Sequence, residues 1–311
     1  MTLAAGSESQ TAYIEEVTWG TTPSGTGDNT TLLPLTGNTL KWAKDTLTDD
    51  TLRSDRQIPS VRTGMKKVSG DLSFAFRFGD FDPFLASALM NTWGSGTATQ
   101  ALTVGSTRKS FTIEKGFTDI GRYHPYTGCV VKTFSLSVRP NAIVTGSFGL
   151  LGKDMTPSGT PLDATPIAVS GNEPFDSFTG SLKEGGSGTG DEIAIVTGID
   201  FTLENNSVPL EVLMNDSCAD IVAGRSNLSG TLSAFFENAT LLAKFFNETE
   251  TSIILTLTDP DSNSLTFTMP ALKYTSGDPD ISDEGPITLT MSFQAYYDSV
   301  SGTNFKIERT V

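Results

Sequence analysis

The sequence predicts a mainly β fold written twice along one chain. Three observations carry this. Short apolar runs alternate with polar residues: Leu72, Phe74, Phe76 and Phe78 share one strand face, and Asp71, Ser73, Ala75 and Arg77 take the other. Helical signals are confined to two short stretches. The stretch from Gly64 to Phe76, GMKKVSGDLSFAF, returns 160 residues later as GRSNLSGTLSAFF, from Gly224 to Phe236.

The other elements follow the same order in each copy. Upstream, Leu35-Thr36-Gly37 answers Val196-Thr197-Gly198, with a polar arm between this strand and the repeated one: residues 43–68 in the first copy and 204–228 in the second. Downstream comes a short helix. DFDPFLASALMN has Asp82 as the expected N-cap and Pro83 at the first helical position. NATLLAKFFNET has Asn238 or Thr240 as cap, and Phe84-Leu85-Ala86 answers Leu241-Leu242-Ala243. Three strands close each copy. In the first they are KSFTIEKGF (109–117), GCVVKTFSLSV (128–138) and AIVTGSFGLL (142–151). In the second, Ile253, Leu255 and Leu257 alternate inward, then Leu265, Phe267 and Met269, then Ile287, Leu289, Met291 and Phe293, with Thr288, Thr290 and Ser292 outward. Val131-Lys132-Thr133-Phe134 is similar to Leu272-Lys273-Tyr274. The expected organisation is a first domain over 1–154, a Gly/Pro/Ser-rich linker over 155–192 with FTGSL as a possible edge strand, and a second domain over 193–311.

Composition narrows the function. The net charge is −15, but residues 1–155 hold 15 Lys and Arg against 14 Asp and Glu, while 156–311 hold 6 against 22. A nucleic-acid grip needs clustered cations, which the second half lacks. No apolar run approaches the ~20 residues that span a bilayer. No basic and then apolar leader opens the sequence, so a secretory signal is not expected. Cys129 and Cys218 are too few for a disulfide framework and are expected as buried thiols.

Catalytic chemistry has no foothold. His124 is the only histidine and is expected as a loop residue packed among Tyr123, Pro125 and Tyr126. DPDSNS (259–264) begins like a calcium loop, but Ser264 stands where glycine is needed and Pro270 where glutamate is needed, so a hairpin turn is expected. GGSGTG (185–190) lacks the lysine of a phosphate-binding loop and reads as a flexible connector. No enzyme, metal or cofactor site is expected.

The chain resembles the major tail tube protein of long, non-contractile tailed bacteriophages. The residues that carry the likeness are IDFTLENN (199–206), the stretch from Gly224 to Phe236, FFNETETSIILTLTDPDSNSLTFTMPALKYTSGDPD (245–280), FQAYYD (293–298), YIEEVTWGTTP (13–23) and SDRQIPSVRTGMKKVSGDLSF (54–74). The resemblance implies two tandem tail-tube-type β-sandwich or barrel domains, each with a short helix and an extended arm. It implies a structural virion protein, assembled in the host cytoplasm, that polymerises with itself into stacked rings around a tape-measure protein. Tail terminator and distal tail proteins are the further partners, and genome DNA passes through the lumen without specific binding. Duplication points to trimeric rings of approximate sixfold symmetry. The alternatives are an extracellular adhesin or a carbohydrate-binding protein with tandem β-sandwiches. Candidate contacts between subunits are the basic residues Arg53, Arg56, Arg62, Lys66 and Lys67 of the first arm and the acidic residues Asp278, Asp280, Asp283 and Glu284 of the second half.

Overall fold

A computed structural model describes residues 3–24, 29–185, 190–192, 196–237, 240–277, 279 and 284–311. Among these, strands dominate, and the α-helices are Asp82–Ala88 and Thr240–Phe246. Neither is long and apolar enough to cross a membrane.

The main sheet is antiparallel. Its first half runs in space as Leu35–Asn38 with Lys41–Thr48, then Val61–Ala75, Thr145–Gly152 and the later part of Arg122–Val138. That last strand pairs with Val196–Glu204, which leads to Asn227–Phe235, Thr288–Ala295 and Ser264–Tyr274. If 35–48 is counted as one interrupted strand, eight strands run side by side, four from each half. A second layer holds Ser9–Glu15, Phe111–Phe117 and the early part of Arg122–Val138. Thr251–Thr258 flanks Ser264–Tyr274, and the C-terminal strand Lys306–Thr310 crosses between it and Thr99–Thr103 of the first half.

Strand alternation sends Leu72, Phe74, Phe134, Leu136, Phe148, Phe201 and Phe293 to one side, where all are buried. They form one cluster that runs through both halves. Phe74 stacks on Phe81 at 4.2 Å and Phe84 on Phe111 at 4.6 Å, while Phe134 meets Phe201 at 6.0 Å and Phe76 meets Phe267 at 5.9 Å across the halves. Each such ring contributes about 1.5–3 kcal/mol by leaving water.

The ladders of the two halves coincide. Leu72 faces Phe148 as Leu232 faces Met291, and Ile113 faces Tyr126 as Ile253 faces Met269. Each strand keeps one offset: 161 for 35–44, 160 for 61–75, 140 for 111–117 and 143 for the two strands that follow. The irregularities coincide as well. A bulge lies between Leu35 and Gly37 and between Val196 and Gly198, and another between Phe111 and Ile113 and between Thr251 and Ile253. A bulge inserts one residue and re-aims every later side chain, so matched bulges preserve the facing of whole strands. The likeness of Lys132 to Lys273 is one of sequence only, because the ladder sets Lys273 opposite Gln294 in the place of Val130 opposite Leu151.

Several local expectations shift. Asp82 is the first helical residue and Phe81 the cap, with the Asp82 carboxylate drawn to the Arg309 guanidinium instead of the helix N–H groups. Thr240 likewise begins its helix, and Asn238 lies outside the described residues. Segment 155–192 is fixed to the sheet at several points. Phe175 is fully buried, its N–H donates to the Phe76 carbonyl at 2.8 Å, and its own carbonyl accepts from Val144 at 2.9 Å. Gly180–Glu184 then pairs along Thr251–Thr258. The connector residues 186–189 lie outside the described residues.

Candidate functional site

His124 sits in the long strand Arg122–Val138, not in a loop, opposite Lys115 and edge-on to Phe117 at 5.4 Å. Burial and the neighbouring Lys115 ammonium lower its pKa. Asp259 closes the 259–264 turn on itself: its carboxylate accepts from the Asn263 backbone N–H at 2.8 Å and from Asn263 Nδ2 at 2.9 Å. Both oxygens are thereby occupied by the hairpin. Among the described residues no group of three His, Cys, Asp or Glu is placed to hold a metal ion. Cys129 and Cys218 are buried free thiols.

The feature that stands out is the polar face of the eight-stranded sheet. Its rungs align small polar residues strand after strand. One row runs Ser73, Ser147, Ser135, Thr202, Ser229 and Gln294, with adjacent members directly paired. A parallel row runs Thr145, Ser137, Asp200, Thr231 and Ser292. The rows cross from one half to the other without a break: Thr202 Oγ1 donates to Ser135 Oγ at 3.2 Å, and Ser137 Oγ donates to Asp200 Oδ1 at 2.6 Å. Serine is a modest strand former, so its density here reflects the surface more than the backbone. The cations near the junction are neutralised, Arg139 by Asp200 and Lys132 by Glu204 at 3.8 Å.

This sheet has an open edge. Lys41–Thr48 pairs with Val61–Ala75 on one side, and among the described residues no strand pairs with its other side. Further back along the edge, Lys115 Nζ caps the carbonyls of Leu40 at 2.8 Å and Asn38 at 3.3 Å. Lysine on an unpaired edge is a common guard against indiscriminate pairing.

Both arms are hairpins of one register. Leu47 faces Arg62 as Val208 faces Val222, and Thr48 faces Val61 as Pro209 faces Ile221. They differ in what they touch. The second arm folds against the first half. There Ile221 and Cys218 pack with Val130, Leu151 and Trp19, and Lys66 N–H donates to the Asp216 carbonyl at 2.8 Å. Arg108 pairs with Asp220 and donates to the Ile221 carbonyl at 3.0 Å. Beyond its base at Lys66 and Lys67, the first arm touches no such surface among the described residues. Val61 is 58% exposed, Ile58 65% and Leu52 99%, whereas Ile221 is 2% exposed.

Three of the five basic candidates in the first arm are already paired within the chain. Arg53 binds Asp55 at 2.5 Å. Lys67 binds Asp45 at 2.6 Å, and Lys66 lies between Asp216 at 2.8 Å and Asp154 at 3.1 Å. Asp216 and Asp154 hold the Lys66 ammonium above the ordinary lysine value, and Lys66 in turn lowers the Asp216 carboxyl. Arg56 and Arg62 are exposed. Of the acidic candidates, Glu284 is exposed, and Asp278, Asp280 and Asp283 lie outside the described residues. Sequence reasoning missed the hydroxyl rows. The outward Thr288, Thr290 and Ser292 were their visible signal, but only register aligns them with the other strands.

A search of curated proteins finds no match. The profile of one protein family, described as phage tail tube protein, matches residues 6–295, nearly the whole chain. The chain therefore belongs to the phage tail tube protein family.

Proposed function

We propose that the chain is a tandem duplication of one tail-tube unit. Three copies then close into a ring, and stacked rings form the tail tube through which genome DNA is ejected. The observation that carries this reading is the unbroken hydroxyl face. Because 133–138 pairs with 199–204, both halves present their polar rows on the same surface. That arrangement favours both halves lining one lumen over one half facing in and the other out.

Strand arithmetic sets the number of copies. Eight strands per copy give twenty-four for three copies. At about 4.8 Å per strand and a tilt near 40°, these close a barrel about 48 Å across at the backbone, with a bore of about 35–40 Å. Six copies would double the width and leave a bore far wider than a duplex. A lumen lined mainly by hydroxyls, with Arg139 and Lys132 paired at the junction, lets DNA slide, since every phosphate held by a free Lys or Arg adds a salt-dependent grip. The role is structural, without catalysis or cofactor, in the virion tail. A tape-measure protein inside the tube and terminator and distal tail proteins at its ends are the expected partners. In this reading Arg56 and Arg62 meet the acidic stretch that includes Asp278, Asp280, Asp283 and Glu284 on another copy. Such exposed pairs, worth about 0–1 kcal/mol each, select register and do not hold the tube.

Negative-stain imaging of the concentrated protein tests the proposal. Rings or tubes with a stain-filled bore are expected. Isolated particles at every concentration and salt condition would refute it.

A further inference from the structure

The joint inside the chain describes the joint between copies. Within the chain Thr133 lies opposite Glu204 and Phe134 opposite Leu203, and Asn205 N–H donates to the Lys132 carbonyl at 2.9 Å. The constant offsets carry each side of this joint onto a stretch with no partner there among the described residues. Residues 132–134 map at 143 onto 275–277, which continue the ladder beyond Tyr274 through the Thr275 N–H bond to the Ser292 carbonyl at 2.8 Å. Residues 203–205 map at 161 onto 42–44, on the open edge.

We infer that residues 42–44 of one copy pair antiparallel with 275–277 of the next, Ala43 opposite Ser276, and that the first arm folds over that copy's second half as the second arm folds over the first half of its own chain. The inference rests on the ring reading above and specifies which residues make the ring.

Three further observations agree. The arms have nearly equal length, 44–66 and 205–226, and the same hairpin register, so one can occupy the counterpart of the other's site. Val61 holds the rung of Ile221, yet is left in water where Ile221 is buried. The surface that waits for it is the counterpart of the Val130–Leu151 pair, namely Lys273 and Gln294, over whose side-chain stems an aliphatic residue can pack. Lys44 holds the place of Asn205, which donates to the Ala88 carbonyl at the end of its helix at 2.8 Å. A lysine there suits the carbonyl end of the matching helix Thr240–Phe246, where positive charge is favoured.

Paired cysteines read the register. In the parent joint the Lys132–Asn205 rung carries the hydrogen bond, so Ala43 and Ser276 form a non-hydrogen-bonded pair, whose Cα separation of about 4.5 Å suits a disulfide. Both positions are exposed, and the native thiols are buried. Tubes of the Ala43→Cys/Ser276→Cys variant, oxidised gently, should give covalent ladders ending at three chains. Lys41→Cys/Ser276→Cys, shifted by two residues on the same face, should give at least tenfold less. Tubes that form but cross-link equally in the shifted variant, or not at all, overturn the inference and leave the tube reading standing. Wild-type protein that never forms rings overturns both. Hydrogen exchange on wild-type protein gives the same decision without variants. The amides of Trp42 and Lys44 should slow at least tenfold on assembly, and unchanged exchange there refutes the pairing.

Discussion

Val61 and Ile221 occupy one rung of two hairpins, and truncating each to alanine should have opposite consequences. Ile221 is 2% exposed and packs with Val130, Leu151, Cys218 and Trp19, so Ile221→Ala opens a cavity within the folded chain. Large-to-small changes at such sites cost about 2–4 kcal/mol, which urea unfolding of the unassembled protein measures directly. Val61 is 58% exposed, so Val61→Ala should leave that unfolding curve within about 0.5 kcal/mol of wild type. Its cost appears on assembly. The change removes two carbon units worth about 0.8 kcal/mol each, and scaling by the exposed fraction gives about 1 kcal/mol per joint. That raises the critical concentration for tube formation about fivefold in a pelleting assay. Two results would refute the reasoning: Val61→Ala destabilising the unassembled chain as much as Ile221→Ala, or its leaving the critical concentration unchanged.

Replacing residues 46–62 by Asn-Gly should leave a soluble, folded chain with an intact near-ultraviolet spectrum that forms no tubes by electron microscopy. Ser135→Lys with Thr202→Lys, on the central hydroxyl row, should assemble but give tubes that retard duplex DNA in low salt and release it in high salt, whereas wild-type tubes retain little in either. The contact of the second arm with Lys66 should be acid-sensitive. The Asp216 carboxyl is lowered by Lys66, so its contribution is present above the ordinary aspartate value near 3.9 and is lost as pH falls through the lowered one. Exchange across 214–222, corrected for intrinsic rate, should therefore accelerate below about pH 4 and stay flat from pH 5 to 8.

What could be read from sequence was what periodicity and repetition encode. Leu72, Phe74 and Phe76 announced their strand, and the return of GMKKVSGDLSFAF predicted a second one in the same setting; the structure gives both strands equivalent partners. What escaped depends on single residues or on register. Phe175 anchors segment 155–192 by one buried ring among prolines, glycines and serines, too sparse for any periodic signal. The second arm folds back through Cys218 and Ile221, two apolar residues in a polar stretch, while the first arm, similar in length, is held only at its base. Lys66 appeared as one charge in a basic cluster. Only the tertiary fold brings Asp154 and Asp216 to it. The hydroxyl row from Ser73 to Gln294 exists only once six strands are in register, which no single strand can show.

A reconstruction of assembled tubes by electron cryo-microscopy tests the central claim most directly. Three copies per ring, a continuous barrel of about twenty-four strands, and Ser135 and Thr202 of every copy facing the bore are expected. Six copies per ring, or the hydroxyl row on the outer wall, would contradict it.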